Sequence, residues 1–189
     1  SRYDPDRLDD SRTRAGLATF LRAAAEQGNW RAHVIMFRGD DFMVTVVGGP
    51  NARTDYHVNQ TEEFFFQLKG TVKVRIQHQG KPHDVILPEG SIYLLPANTP
   101  HAPMRGPDTV GLIIERIRKN GMTDTHRWYC EKCNNVLFEK TVVIELLERD
   151  MPPVFEAYYG DPENQHCKKC GHVNPGRPQK GLFSVMRGH

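Results

Sequence analysis

Two histidines and one glutamate are the residues whose types and order point most directly to chemistry. Five residues separate His57 from Glu63, and His101 follows later, after Pro88-Glu89-Gly90 and a short apolar run. The chain has nine histidines, so one alone would indicate only polar surface. Neutral imidazoles with one carboxylate suit Fe(II) and leave coordination positions open for substrate and O₂. The set therefore predicts a catalytic Fe²⁺ centre with dioxygen chemistry.

The four cysteines predict a second metal site of a different kind. They form two CxxC pairs, Cys130 with Cys133 and Cys167 with Cys170, with 33 residues between the pairs. Paired knuckles of this kind bring four thiolates to one tetrahedral ion, Fe or Zn. Two disulfides are disfavoured in a cytoplasmic protein, and a thioredoxin-like motif is disfavoured because neither pair opens a helix after a strand. The site resembles a rubredoxin knuckle, and its expected role is structural.

The chain that must position these residues has the composition of a folded globular protein. It has 189 residues, of which 38% are hydrophobic and 25% are charged. Its net charge of +2 does not suggest a nucleic-acid partner. No apolar run is long enough for a membrane span, and the first residues are too polar for a signal peptide. We therefore expect a cytoplasmic protein without nucleic-acid or membrane partners.

The hydrophobic pattern changes along the chain and predicts four segments. Short β-rich runs between turn residues dominate the middle, which predicts a mainly β chain built on an antiparallel barrel. The expected segments are an N-terminal helical segment (1–32), the β-barrel with the catalytic iron (33–120), a four-cysteine metal-binding extension (121–176) and an irregular tail (177–189). Outside the barrel we expect a helix from Ser11 to about Gln27, a strand over Lys140–Leu147 and a short helix over Pro152–Tyr159.

Several residues in order resemble the cupin double motif. Six residues separate Glu63 from Gly70, and Pro88-x-Gly90 and His101 follow. Cupins are small antiparallel β-barrels of the jelly-roll type that hold a metal inside. Many carry two histidines in the first motif, as His-x-His. Asp55 stands where the first of these would be, so the ligand set resembles two histidines and one glutamate.

Two adjacent acids, Glu62 and Glu63, compete for the carboxylate position. The gap to the motif glycine, Gly70, fits Glu63. Strand alternation then places Glu63, Phe65 and Gln67 on the interior face and the residues between them on the other face. Phe65 would line the substrate pocket beside the metal.

A longer series of motifs resembles 3-hydroxyanthranilate 3,4-dioxygenase, and the cysteines resemble its bacterial form. The similarity covers about residues 42–176, in Val46-Val47-Gly48-Gly49-Pro50-Asn51, Arg53-Thr54-Asp55-Tyr56-His57, Glu62-Glu63-Phe64-Phe65, Leu94-Leu95-Pro96 with His101, and Ile114-Glu115-Arg116. The resemblance implies an extradiol-type ring opening of 3-hydroxyanthranilate by Fe(II) and O₂. Both oxygen atoms would enter an aminocarboxymuconate semialdehyde, which closes to quinolinate without enzyme. The resemblance also implies a homodimer.

The same resemblance gives roles to charged residues near the iron. A barrel interior disfavours unpaired charge, so Arg53, Arg105 and Glu115 need partners. The resemblance implies that Arg53 and Arg105 hold or polarise the substrate carboxylate and bound oxygen. Glu115 would accept the proton of the substrate hydroxyl as a general base. Asp55 would orient Arg53 or His57 from behind.

Two more arginines follow Glu115 and are expected at a solvated strand edge. Alternation places Glu115 and Ile117 on one face and Arg116 and Arg118 on the other. Surface salt bridges are the role expected for this second pair.

Two stretches depart from the family and bear on the substrate. The family usually has Lys-Pro-Pro-Val and a nearby Asn where this chain reads GNWRAH (28–33), with His33 about at the Asn. The family loop His-Ser-Pro-Gln-Arg reads His101-Ala-Pro-Met-Arg105 here. A related carboxylated o-aminophenol or catechol is therefore an alternative substrate. A cupin isomerase or other non-oxygenase and a non-catalytic small-molecule-binding cupin are alternative functions, but the retained Arg53, Arg105 and Glu115 favour the dioxygenase.

Overall fold

The computed structural model describes residues 33–51, 53–119, 121–145 and 147–178. In these residues eleven strands form two antiparallel sheets. The strands are β1 (His33–Arg38), β2 (Phe42–Gly48), β3 (Tyr56–Asn59), β4 (Glu63–Lys69), β5 (Val72–His78), β6 (Lys81–Leu87), β7 (Ile92–Leu95), β8 (His101–Arg105), β9 (Val110–Arg116), β10 (Asp124–Tyr129) and β11 (Val136–Val142). They are followed by α1 (Leu147–Asp150), α2 (Pro152–Tyr159) and the 3₁₀ helix Pro162–Gln165.

The prediction of a mainly β chain built from antiparallel sheets is confirmed. One sheet has the order β1-β2-β9-β4-β7, and the other has the order β11-β10-β3-β8-β5-β6. Most strands that follow each other in the chain, such as β3 and β4, lie in different sheets, as in double-sheet jelly rolls, whereas β1–β2, β5–β6 and β10–β11 pair as neighbours within one sheet. The helix expected between Ser11 and Gln27 lies outside the described residues.

Alternation along the strands turns one face of each sheet towards a common core. In β4, Glu63, Phe65 and Gln67 are 3%, 1% and 1% exposed, as the alternation predicted. Glu63 is thus a buried acid and needs a partner inside the protein. The buried core residues around it are Val47, Phe65, Val72, Val74, Ile76, Leu87, Leu95 and Ile113.

A second, smaller core holds α2 against the last strands. The ring of Trp128 stacks on the ring of Tyr158, with centroids 4.4 Å apart, and Val154 is fully buried beside them. β10 pairs with both β11 and β3, so the cysteine-bearing part of the chain continues the six-stranded sheet. The boundaries of the four expected segments stay a prediction.

The strand expected over Lys140–Leu147 is shifted in the structure. β11 covers Val136–Val142, and residues 147–150 are helical. Pairing decides these bounds, because β10 offers hydrogen-bond partners from Asp124, opposite Val142, to Tyr129, opposite Val136. The expected helix over Pro152–Tyr159 is present as α2. None of the helices in the described residues has both the length and the apolar character that a membrane span needs.

Candidate metal centre

The candidate metal centre lies between the two sheets. β3 and β8 present His57 and His101 directly opposite each other, and β4 brings Glu63 from the facing sheet. One nitrogen or oxygen atom of each residue lies within 4.8 Å of the other two. The side chains of His57, Glu63 and His101 are 12%, 4% and 1% exposed. The structure therefore brings the three expected ligands together in a nearly water-free position.

Hydrogen bonds behind the two histidines select the nitrogens that face the centre. His101 Nδ1 lies 3.0 Å from the carbonyl oxygen of Thr99, and His57 Nε2 lies 2.7 Å from Asp124 Oδ1. A carbonyl or carboxylate oxygen can only accept, so these nitrogens carry the protons. The remaining nitrogens, His57 Nδ1 and His101 Nε2, lie 3.4 and 3.3 Å from the two oxygens of Glu63. Partners of this kind orient imidazoles that bind metals, so the donor set fits a metal ion.

The charges around the centre also fit a divalent cation. Burial lowers the pKa of His57, but hydrogen bonds to Asp124 and Glu63 outweigh it and raise the pKa to about 9. Burial raises the pKa of Glu63, yet His101 and His57 hold it well below its usual range. Four carboxylates and two guanidinium groups surround the site, which gives a charge of −2 when the imidazoles are neutral. These groups are Glu63, Glu115, Asp55, Asp124, Arg53 and Arg118.

Arg53 and Asp55 form a bidentate ion pair at the end of β3. Arg53 Nε and Nη2 donate to Asp55 Oδ1 and Oδ2 at 3.0 and 2.9 Å. Asp55 is fully buried and also accepts from His126 Nδ1 at 2.8 Å. Burial raises the pKa of Asp55, but Arg53 and His126 together hold it far below its usual range. Of the two partners expected for Asp55, it therefore bonds Arg53, while His57 is held by Asp124.

Glu115 lies beside the candidate metal ligands on the five-stranded sheet. It is the direct cross-strand neighbour of Glu63 in the β4–β9 pair. Its Oε2 accepts from Arg118 Nη1 at 2.7 Å and from Asn59 Nδ2 at 3.3 Å. Burial and the charge of Glu63 raise the pKa of Glu115, although Arg118 opposes them. A carboxylate with a raised pKa beside a metal site is suited to proton transfer.

The expected surface position of Arg118 is wrong. Its side chain is 13% exposed and bonds both Glu115 and Asp124. The strand ends at Arg116, so the alternation that placed Arg118 outside no longer applies two residues later. Arg116 itself is exposed and lies over the ring of Phe42, with 5.8 Å from Cζ to the ring centroid.

Arg105 lies apart from the other charged residues, at the opposite end of the interior. It is 5% exposed, and its Nη1 donates to Gln67 Oε1 at 3.1 Å. Burial lowers its pKa to about 10. Gly111 of β9 makes room for the guanidinium, because a Cβ atom there would come within 2.6 Å of Nη1.

Two polar residues of the site, Asp124 and His126, were not predicted from the sequence. Both lie on β10, where Asp124, His126 and Trp128 alternate as buried residues. The ring of His126 stacks on that of His57 at 5.2 Å between centroids. The alternation of this run could have shown that the three share a face. Only the pairing of β10 with β3 shows that this face meets the candidate metal ligands.

The four cysteines form a separate cluster beyond β10. Their sulfurs lie within 4.8 Å of one another, with 3.6 Å between Cys130 and Cys170 and between Cys133 and Cys167. Sulfurs about 2.3 Å from a tetrahedral ion lie about 3.8 Å apart, so this spacing fits one metal ion. The two knuckles turn alike, since the amides of Asn134 and Gly171 donate to the carbonyls of Cys130 and Cys167.

Comparison with known sequences gives one consistent result. Residues 21–159 match the family model described as 3-hydroxyanthranilic acid dioxygenase. A Shewanella woodyi protein named 3-hydroxyanthranilate 3,4-dioxygenase is 41% identical over 156 residues, which is 82% of either chain. A Xanthomonas campestris protein of the same name is 43% identical and aligns over 72% of this chain and 77% of its own. A Neurospora crassa protein of that name is also 43% identical, over 75% and 79%.

Solved structures show more distant similarity. A cupin-2 domain containing protein from Shewanella frigidimarina aligns with a TM-score of 0.45 and 18% identity, over 56% of this chain and 99% of its own. A hydroquinone 1,2-dioxygenase from Sphingomonas aligns with a TM-score of 0.37 and 12% identity, over 46% and 65%.

Proposed function

The chain belongs to the 3-hydroxyanthranilic acid dioxygenase family, and from that premise we propose that it opens the ring of 3-hydroxyanthranilate with O₂. A closely related carboxylated o-aminophenol is the alternative substrate, because GNWRAH (28–33) and the His101–Arg105 loop depart from the family. Both atoms of O₂ would enter the product, an aminocarboxymuconate semialdehyde. The cytoplasmic location expected from the sequence stays a prediction.

The convergence of His57 Nδ1, Glu63 and His101 Nε2 beside Arg53 and Glu115 is the observation that carries the proposal. These three side chains would hold Fe²⁺ as the ligand set that leaves positions open for two further molecules. Fe²⁺ held there would supply the electron transfer that lets an aromatic ring react with O₂. A binding protein without catalysis would not require an acid of raised pKa next to the metal, so Glu115 favours an enzyme.

In this proposal, Glu115 would take the proton of the substrate hydroxyl. Its Oε2 already accepts from Arg118 and Asn59, whereas its Oε1 accepts no hydrogen bond from the described residues. The proton would therefore move from the ring hydroxyl to Glu115 Oε1. The pKa raised by burial and by Glu63 makes Glu115 a stronger base than an exposed glutamate.

The two arginines would orient the substrate from opposite sides. Asp55 engages Nε–H and one N–H of Nη2 of Arg53, so Nη1 and the second N–H of Nη2 are left as donors for an oxygen atom at the centre. Arg105 extends across the interior to Gln67 and Gly111, away from the metal ligands. A carboxylate on the ring would complete the hydrogen bonding of this buried guanidinium. Such charge-assisted bonds are worth roughly 1.5–3 kcal/mol each.

Anaerobic reconstitution with Fe(II), followed by O₂ uptake in the presence of 3-hydroxyanthranilate, tests the proposal. We expect one O₂ consumed per ring opened, and loss of uptake in His57→Ala. His83→Ala is the matched control, because His83 is an exposed histidine of β6. Absence of uptake with iron bound would refute this substrate. A panel of o-aminophenol and catechol acids would then separate a changed specificity from a missing activity.

We further propose that the cysteine cluster holds one Fe or Zn ion with a structural role. The four thiols are free of disulfides and their spacing suits a tetrahedral ion. Cys130→Ser should remove one equivalent of metal, measured by elemental analysis, and lower the melting temperature. Turnover per folded molecule should fall less than stability. Selective loss of turnover in a stable variant would contradict a structural role.

We also propose a homodimer formed through the outer face of the five-stranded sheet. Cross-strand neighbours on this face are apolar in two adjacent rows: Val44, Ile114, Phe64 and Leu94, then Val46, Leu112, Phe66 and Ile92. Ile92 and Leu94 of the edge strand β7 are 66% and 53% exposed. Val46 of this face is fully buried, so the exposed apolar surface lies towards the β7 edge. Exposed apolar surface of this kind is typical of protein–protein contacts.

A further inference from the structure

Arg118, which was not expected in the site, connects the proposed base Glu115 with the proposed metal ligand His57. Arg118 Nη1 donates to Glu115 Oε2 at 2.7 Å, while Nη2 and Nε donate to Asp124 at 2.7 and 3.1 Å. Asp124 in turn accepts from His57 Nε2 at 2.7 Å. A continuous chain of charge-assisted hydrogen bonds therefore runs from the proposed base to a proposed metal ligand.

Because its groups are buried, this series of hydrogen bonds is costly to break at either end. The side chains of Asp124, Arg118 and Glu115 are 0%, 13% and 15% exposed. Loss of one partner would leave a buried charge without compensation, and the remaining side chains would rotate to find water or another donor. The orientation of each group thus depends on the other two.

The two groups at the ends of this series of hydrogen bonds, His57 and Glu115, need a fixed orientation for different reasons. At Asp124, the bond to His57 Nε2–H fixes the ring so that Nδ1 is turned towards Glu63, 3.4 Å away. At Glu115, the bond from Arg118 engages Oε2 and leaves Oε1 open. Both effects come from atoms that touch neither the proposed substrate nor the metal.

We propose that Asp124 and Arg118 are a positioning pair that sets the ring of His57 and the carboxylate of Glu115 in one arrangement. The role in turnover rests on the proposed function, whereas the role at the metal does not. The pair acts through His57 and Glu115, and neither member is a catalytic residue. A salt bridge that merely stabilised the fold would change melting temperature without changing the coordination of a bound ion.

Co(II) binding to the full-length chain, with Zn(II) loaded into the cysteine cluster beforehand, tests the pair without any need for turnover. The visible absorption of Co(II) reports the number and geometry of ligands, and titration gives the affinity. Loss of a group behind a metal-binding histidine typically costs 10–100-fold in affinity. We therefore expect Arg118→Gln and Asp124→Asn each to weaken Co(II) binding by about tenfold or more and to shift the bands.

Three comparisons make the outcome specific. The double variant should bind Co(II) no more than about threefold more weakly than the weaker single variant, because both changes break one chain. Arg118→Lys should recover part of the affinity, since it keeps the charge but not the two-sided contact. Arg116→Gln, which changes an exposed arginine two positions away, should leave affinity and spectrum as in the wild type. Melting curves check that all variants are folded.

The kinetic arm separates the two proposals. If wild-type protein consumes O₂ with 3-hydroxyanthranilate, Arg118→Gln should lower kcat by about tenfold or more at saturating Fe(II), by analogy with groups that support a ligand from behind. A wild-type spectrum, affinity and kcat in folded Arg118→Gln would overturn the positioning pair. An inactive wild type with the expected Co(II) shifts would refute the proposed substrate and leave the pair standing.

Discussion

Arg105 carries a buried positive charge without a carboxylate partner among the described residues. Gln67 is the side chain that accepts from its guanidinium, and burial lowers the pKa of Arg105 to about 10, from 12.5 in water. A shift of that size disfavours the charged form by roughly 3 kcal/mol. Because the pKa is depressed, the penalty is present at every pH below about 10, including any pH at which the enzyme works. Such a charge is retained at a cost to stability, which is typical of a ligand-binding group.

We predict that Arg105→Met keeps or raises the melting temperature of the substrate-free protein. The variant should lose the extra stabilisation that 3-hydroxyanthranilate gives under anaerobic conditions. The control ligand is 2-aminophenol, which lacks the carboxylate and should stabilise wild type and variant equally. Thermal melts with each ligand measure both effects. Equal stabilisation of the two proteins by 3-hydroxyanthranilate would mean that Arg105 does not bind the carboxylate.

His126 acts on Arg53 through Asp55, and only one of its nitrogens takes part. Nδ1 lies 2.8 Å from Asp55, whereas the buried Nε2 has no hydrogen-bond partner within the described part of the chain. Burial lowers the pKa of His126, so the ring is neutral and Nδ1–H is its donor. The hydrogen bond that His126 contributes to the site therefore comes from a single N–H group, at Nδ1.

We predict that His126→Asn retains most activity and that His126→Leu loses about tenfold or more in kcat/KM. The Asn amide reproduces the donor at the Nδ1 position, whereas Leu leaves the buried Asp55 with one partner fewer. Steady-state kinetics of O₂ uptake, with circular dichroism to check folding, distinguish the variants. Equal losses in the two would show that the ring itself, through its stack on His57, matters more than the hydrogen bond.

At the scale of elements, the strands that carry the first motif were predictable and the strand that supports it was not. His57 and Glu63 lie close in sequence, and the alternation of β4 alone places Glu63 inside. Asp124 lies 67 positions after His57, and a local pattern cannot say which strand β10 will pair with. Arg118 was misplaced because strand alternation was extended past the end of β9. Local spacing therefore predicted which residues converge at the candidate centre, and long-range pairing supplied the groups that orient them.

β9 contributes side chains to the site and also leaves space for the guanidinium of Arg105. A Cβ atom at Gly111 would come within 2.6 and 2.9 Å of the two terminal nitrogens of Arg105, closer than real Cβ atoms approach. Gly111 thus lets the guanidinium lie flat against the strand. The backbone of Gly111 has no positive φ, so a larger residue is opposed by this contact and not by the conformation of the strand.

We predict that Gly111→Ala raises KM for the carboxylated substrate by about tenfold, with a smaller change in kcat. The displaced guanidinium would lose one charge-assisted hydrogen bond, and about 1.4 kcal/mol corresponds to tenfold in affinity. Gly106→Ala is the matched control, because an added Cβ there meets nothing within 4 Å. An unchanged KM in Gly111→Ala would place the substrate carboxylate elsewhere.

For the whole molecule, the outer face of the five-stranded sheet is the surface that the fold leaves without an evident function. Ile92 and Leu94 lie on its edge strand, and their side chains are 66% and 53% exposed. The other sheet also exposes an isoleucine, Ile86 of β6, at 55%. Because Ile92 and Ile86 are similarly exposed, the same substitution at each distinguishes the effect of its position on one sheet from the effect of losing an exposed apolar side chain.

We predict that Ile92→Lys converts the proposed dimer to monomer, or weakens it at least about tenfold, whereas Ile86→Lys does not. A charge buried in a dry apolar contact must be desolvated, and about 1.4 kcal/mol already corresponds to tenfold in the dissociation constant. Light scattering coupled to size exclusion, over a dilution series, measures the mass of each variant. A wild-type monomer at all concentrations would refute the dimer. If the dimer were lost only in Ile86→Lys, the interface would lie on the six-stranded sheet instead. In the expected case, the metal centre of each chain, which lies between its own two sheets, should keep its activity in the monomer.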